Sequence, residues 1–210
     1  MPSLTDHILI QLDQALRTSL APAPRTPRAY PAEQARCPEL PEADRRHVAG
    51  LMRINHTGEV CAQALYHGQA ATARDDRVRS RMRQAAEEEA DHLYWCQRRL
   101  DELNDRPSRL NPLWYGGSWL IGAVAGVAGD RWSLGFVIET ERQVEAHLED
   151  HLKQLPAQDD CSRAVLEQMK DDEMRHARMA ESLGGVPLPG PVRRMMKHMA
   201  DTMKAIAYRV

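Results

Sequence analysis

Apolar positions recur at helical spacing along most of the chain. Leu4, Ile8, Leu12 and Leu16 form one stripe behind Ser3, whose hydroxyl suits an N-cap, and predict a short amphipathic helix ending at Leu20. Such a helix docks on the rest of the chain or on a partner. Six prolines follow between Ala21 and Pro41, which excludes regular helix and makes this stretch a linker or an extended arm. Longer helices are predicted over about 42–73, 76–103, 130–155 and 160–183. Pro156 closes the third of these and Gly184-Gly185 the fourth. A last helix runs from the Pro187-Pro189-Pro191 break to about Tyr208, with Val192, Met195, Met196, Met199, Met203 and Ile206 on one face. Residues 1–41 thus read as an appendage and 42–210 as one helical domain.

Charged residues interrupt the apolar faces of the four long helices in a repeating way. Glu59 falls among Leu51, Ile54, Val60, Ala62, Ala64 and Leu65, where a carboxylate is costly unless it is ion-paired or bound to metal. Glu89-Ala90-Asp91-His92 follows 30 residues later; Glu141 is followed at 32 residues by Glu173-Met174-Arg175-His176. Residues three apart share one helix face, about 5–6 Å between Cβ atoms, so the Glu and His of each Glu-x-x-His can share an ion. Chance gives about 0.6 such pairs in a chain of this composition, and neither the second pair nor the preceding lone Glu in each half is expected from it. Glu59, Glu89, His92, Glu141, Glu173 and His176 are therefore the predicted metal ligands. They form the set of a ferritin-like di-iron or di-manganese centre, in which two helices give one Glu each and two give Glu-x-x-His.

Neighbouring residues leave alternatives. Glu88 stands four residues before His92 and is the rival to Glu89, and Glu145 shares the face of Glu141. His56 reads as an outer-shell or solvated histidine rather than a ligand. His147 and Asp172 are candidates to support the ligands through hydrogen bonds; Asp172 precedes Glu173 as Glu88 precedes Glu89, so each acid can orient the opposite histidine through its second nitrogen. Gly58 weakens its helix by about 1 kcal/mol and suggests close packing beside the site.

Composition narrows the function classes. Aromatics are 5% of the chain, with one Phe, which favours helix over sheet. A net charge of −2 gives no general attraction to nucleic acid. Cys37, Cys61, Cys96 and Cys161 are scattered without a Cys-x-x-Cys pair, so no zinc knuckle, rubredoxin-type iron site or disulfide framework is expected, and Cys37 reads as an inert thiol. No secretory signal is visible, and a cytoplasmic location against a membrane is the reading.

The stretch 113–129 is unlike the rest: seventeen uncharged residues with Trp114, Tyr115, Trp119 and five glycines. As helix it would span about 26 Å, short of the roughly 30 Å hydrocarbon core. Aromatics at its start suit an interface, and Gly122-x-x-x-Gly126 and Ala125-x-x-x-Gly129 permit close helix approach. A re-entrant or interfacial helix is preferred over one buried in the bundle. The last helix carries Arg193, Arg194, Lys197, Lys204 and Arg209 off its Met face and reads equally as a membrane-surface helix or one packed on the bundle.

The run Arg53-Ile54-Asn55-His56-Thr57-Gly58-Glu59-Val60-Cys61-Ala62-Gln63-Ala64-Leu65-Tyr66-His67-Gly68-Gln69 resembles the demethoxyubiquinone hydroxylase family of ubiquinone biosynthesis. So do Glu87-Glu88-Glu89-Ala90-Asp91-His92, the Gly/Ala-rich middle, and Asp171-Asp172-Glu173-Met174-Arg175-His176; the likeness covers roughly 43–210. It implies an all-α, ferritin-like four-helix bundle with an apolar connecting helix and an extra C-terminal amphipathic helix. It further implies a di-iron monooxygenase, with O₂ as co-substrate, that hydroxylates the ring of a polyprenylated methoxy-methyl-benzoquinol. The family's iron ligands fall on the same six residues, and His147 matches a histidine beside the third ligand helix. A peripheral position on the cytoplasmic face of the cell membrane is implied too, together with contact to other ubiquinone-biosynthesis proteins; homo-oligomerisation is left open.

The alternatives are other ferritin-like proteins. A rubrerythrin-like peroxidase lacks support without Cys-x-x-Cys, a ferroxidase or storage subunit without a plain connection between the halves, and a tRNA hydroxylase without basic charge. A metal-free membrane-associated adaptor is the reading from a different class.

Overall fold

The computed structural model describes residues 3–210, and among them every regular element is an α-helix. Ser3 caps α1 (Leu4–Leu20) reciprocally: its hydroxyl accepts from the Asp6 amide at 3.1 Å while its own amide donates to the Asp6 carboxylate at 2.7 Å. The order continues α2 (Glu42–Thr72), α3 (Asp76–Glu102), α4 (Asn111–Val127), α5 (Asp130–Gln154), α6 (Asp160–Ser182) and α7 (Gly190–Ala207), each close to its predicted span. Asp75 caps α3 and Asp159 caps α6 through their side chains. Buried Asp159 also takes a 2.9 Å ion pair from buried Arg99, which ties the start of α6 to the end of α3.

Helix α2 packs along α3 and α5 along α6, giving a four-helix, ferritin-like bundle with two apolar layers. One layer holds Val48, Met52, Trp95, Leu100, Leu148, Leu166 and Met169, from the start of α2, the end of α3, the end of α5 and the first half of α6. The other holds Tyr66, Met82, Leu134, Val137, Ile138 and Ala180, from the opposite ends of the same helices. Each fully buried aliphatic or aromatic side chain contributes about 1.5–3 kcal/mol. The six predicted ligands lie along the helices between these layers.

Helix α4 lies on α2 backbone to backbone. A Cβ on Gly122 would overlap the Leu65 carbonyl, and one on Gly68 would come within 2.7 Å of the Ala123 amide. The small-residue spacing in 113–129 therefore serves an intramolecular contact. The opposite face of α4 is bare, with Leu113, Leu120, Val124 and Val127 each at least 60% exposed. The helix is thus half-covered, neither free of the bundle nor buried in it. Gly58, in contrast, faces open space, so the packing expected there is absent.

Two other expectations are corrected. The stripe of α1 points outward: Ile8, Leu12 and Leu16 are exposed, and Leu4, counted with them, lies outside the described side chains. Its polar face does the docking, with the Trp119 indole donating to Gln11 at 2.6 Å and Thr18 donating to Gln63 at 3.1 Å. Cys37 is no inert thiol, because its sulfur is bonded to that of Cys161, with Cα atoms 5.5 Å apart. The pair is 124 residues apart in sequence and joins arm to α6. The arm itself is seated by Tyr30, Ala32 and Leu40, all buried against the first apolar layer. Helix α7 covers only part of its Met face, burying Met196 and leaving Met195 and Met199 exposed.

Gly122→Val should lower the unfolding free energy measured in urea by about 1–3 kcal/mol, because the side chain has no room without moving a helix. Gly58→Ala, in open space within α2, should raise it by about 0.5–1 kcal/mol.

Candidate metal centre

Helical register brings the six predicted ligands together. Glu59, Glu89, His92 and Glu173 present ligand atoms all within 4.8 Å of one another, and Glu89, Glu141, Glu173 and His176 do the same. Glu89 and Glu173 belong to both groups, so two adjacent ion positions would share them. His92 turns Nδ1 inward, 2.9 Å from Glu89, 3.4 Å from Glu173 and 3.7 Å from Glu59. His176 turns Nδ1 inward as well, 3.0 Å from Glu89 and 3.5 Å from Glu173. All six residues are buried. Glu87 is exposed and Glu88 half-buried, which settles the rivalry within that acidic run by direction: only Glu89 points to the core. Glu139 and Glu145 are both partly exposed, whereas Glu141 is buried.

The outward nitrogens are held by the acids one residue before each second Glu. His92 Nε2 lies 2.9 Å from Asp172 on the opposite half, and His176 Nε2 lies 2.8 Å from Glu88. Asp172 also accepts from Gln168 at 2.9 Å, from Arg28 at 2.8 Å and from Arg175. His147 behaves otherwise than expected: its Nε2 meets the Asn55 side-chain oxygen at 3.3 Å, and His151 Nδ1 meets the same oxygen at 3.0 Å. His56 is buried against Asn111 rather than solvated, and burial lowers its pKa to about 4. Tyr66, which the spacing argument passed over, donates its phenol proton to Glu141. It stands seven residues after Glu59, two helical turns along one face, so the signal was in the sequence.

The charge balance is informative. Burial raises Glu59 and Glu141 well above the usual carboxylate range, toward the neutral acid. Burial would likewise raise Glu173 and Glu89. Close contact with Glu141, His176 and His92 keeps Glu173 low, and the charges of His92 and His176 keep Glu89 low. Burial alone would lower the histidines, but Glu89 and the surrounding acceptors raise His92 well above its ordinary value and push His176 up to about 12. Glu89 and Glu173 are thus driven toward the ionised form and His92 and His176 toward the protonated one, while Glu59 and Glu141 are driven toward the neutral acid. Bound divalent ions would take over that balance by displacing protons.

The donors fit such ions. Glu89 Oε1, Glu173 Oε2 and His176 Nδ1 are buried and lack an aligned hydrogen bond, although the nitrogen lies 3.0 Å from Glu89 and 3.5 Å from Glu173. Buried polar atoms are rarely left so, and ligand atoms aimed at a shared centre are an explanation. Four carboxylates with two imidazoles are a hard, oxygen-rich set that suits iron or manganese over zinc or copper(I).

An all-helical bundle with paired carboxylates and Glu-x-x-His segments in its core defines a ferritin-like protein with a candidate metal centre. The family model described as "Ubiquinone biosynthesis protein COQ7" matches residues 46–207, and the chain belongs to that family. Relatives named 3-demethoxyubiquinol 3-hydroxylase are similar over nearly the whole chain. The one from Cupriavidus necator is 59% identical over 207 residues, covering 98% of this chain and all of the relative. That from Cupriavidus pinatubonensis is 58% identical with the same coverage, and that from Chromobacterium violaceum is 54% identical over 99% of this chain and all of the relative.

Because His92 and His176 are raised above the ordinary histidine range and Glu59 and Glu141 above the carboxylate range, a metal must displace protons to bind, and Co(II) affinity should rise with pH across the neutral range. Titration in a weakly buffered solution with a pH indicator should show protons released on binding.

Proposed function

We propose that this chain is a 3-demethoxyubiquinol 3-hydroxylase, a di-iron monooxygenase that adds a hydroxyl to the ring of a polyprenylated methoxy-methyl-benzoquinol. The observation that carries the reading is the convergence of Glu59, Glu89, His92, Glu141, Glu173 and His176 in one buried layer, in a chain 59% identical to a relative of that name. Glu59, Glu89 and His92 would hold one iron; Glu141, Glu173 and His176 would hold the other, with Glu89 and Glu173 within reach of both. When bound, the pair supplies two electrons to O₂ and brings an oxygen atom to the substrate ring, and an outside donor restores them.

The chain's own residues prepare that chemistry. Asp172 and Glu88 fix the imidazole rings so that each Nδ1 points inward. The Tyr66 phenol holds the Glu141 carboxyl in place. The apolar layers on either side keep bulk water from the centre, which strengthens the electrostatic interactions within it. A narrow cleft between α2 and α5, lined by Ala62, Leu65, Tyr66, Phe136 and Val137, ends at Glu141. Gln69 and Thr140 line it as well, and at about 10 Å³ it would admit a flat, substituted ring only if its walls part.

The substrate's tail sets the location. A polyprenyl chain stays in lipid, so the protein must meet the bilayer. No helix among the described residues is long and apolar enough to cross a membrane. The bare leucines and valines of α4, together with exposed Leu9, Leu12, Leu16 and Leu20 of α1, supply an apolar surface for lying on it. The chain would then be a peripheral protein on the cytoplasmic face of the cell membrane, with α4 next to both lipid and α2.

Anaerobic loading with two Fe(II) per chain, followed by demethoxyubiquinol and O₂, should give a product heavier by one oxygen atom. Glu89→Ala and His176→Ala should each lower that yield by about 100-fold or more while circular dichroism stays helical. Retained turnover in either variant contradicts the assignment. In flotation with anionic liposomes the parent should rise with the vesicles, and Leu120→Glu/Val124→Glu should remain below; equal behaviour of the two disproves contact through α4.

A further inference from the structure

The two outward histidine nitrogens are supported unequally. Glu88, which holds His176, is 35% exposed in its side chain and takes one further hydrogen bond, from Gln84 at 2.9 Å. Asp172, which holds His92, has a fully buried side chain, and its Oδ2 is shared between His92 at 2.9 Å and the Arg28 guanidinium at 2.8 Å. Arg28 comes from the arm, outside the bundle helices. Its guanidinium also lies over the Trp95 ring at 4.7 Å and reaches Asp91 at 3.4 Å. Trp95 in turn stands against the His92 ring, centroids 5.4 Å apart. A buried carboxylate with no cation beside it is costly; Arg175 and Gln168 meet Oδ1, and Arg28, two residues before Tyr30, is the arginine on the Oδ2 that faces His92.

The arm holds Arg28 there by contacts that do not involve the centre. The Tyr30 phenol donates to Glu102 at 3.1 Å, Arg98 stacks on its ring at 4.1 Å, and Arg98 pairs with Glu33 at 2.8 Å. We infer that Arg28 is a positioning residue for the metal site built on His92: by fixing Asp172 it fixes the angle at which His92 presents Nδ1, and it makes the two ion positions unequal. This rests on the di-iron reading above. The bundle thereby obtains, from a segment outside its own helices, a control on one of its two metals.

Co(II) titration followed by its visible absorption separates the possibilities. The parent should bind two equivalents. Arg28→Ala should weaken one of them by about 10–100-fold and leave the other within about twofold. Arg28→Lys, which keeps the charge without the planar fork, should lie between. Tyr30→Phe, which removes one of the contacts that seat the arm and leaves Arg28 itself unchanged, should weaken the same equivalent by less than Arg28→Ala does. Parent-like binding by Arg28→Ala overturns the inference; so does equal weakening of both equivalents, which makes the arm merely structural. A parent that binds no Co(II), Mn(II) or Fe(II) instead overturns the di-iron reading, and the two failures are thus distinct.

Discussion

The arrangement depends on charge neutrality inside an apolar shell. Six ionisable side chains occupy one layer of this bundle, and any uncompensated charge there costs several kcal/mol. Protonation does the balancing: burial drives Glu59 and Glu141 toward the neutral acid, and the acids around them drive His92 and His176 toward the charged form. Nearly every polar contact around the layer reads as part of that balance. Asp172 and Glu88 offset the imidazoliums, Arg28 and Arg175 offset Asp172, and Tyr66 gives Glu141 a donor.

The apolar layers on either side explain why the helices can hold such a centre without collapsing around it. Trp95, Leu148, Leu166 and Met169 clamp one end of the bundle, while Met82, Leu134 and Val137 clamp the other. Each long helix is anchored both above and below its ligands, so the ligand positions are set by register rather than by attraction to an ion. Histidines away from the centre fit the same logic. His147 and His151 share Asn55, are kept neutral chiefly by burial, with pKa values lowered to about 3 and about 4, and add no charge to the interior.

Much of this was legible in the sequence because it is periodic. A Glu-x-x-His on a helix fixes which atoms share a face, and repeating it with a lone Glu in each half fixes the bundle. Tyr66 could have been found by the same rule. Arg28 and the Cys37–Cys161 pair could not: the proline-rich arm has no period, and its contacts span 144 and 124 residues. Helix α1 shows a different limit. Its leucine stripe was plain, but amphipathicity tells only that two faces differ, and here the glutamine and threonine face meets the bundle. Gly58 was over-read, since a glycine near a site marks close approach only where something approaches.

The contact between α2 and α4 carries a mechanical consequence. Gly68 and Gly122 let peptide groups of the two helices meet with no side chain between them. Side chains can change rotamer to give slack, but main chain cannot, so α4 has no freedom to roll about its own axis. It acts as a fixed floor under α2. Any widening of the cleft beside Tyr66 must then come from the opposite wall, where half-buried Phe136 lies on α5.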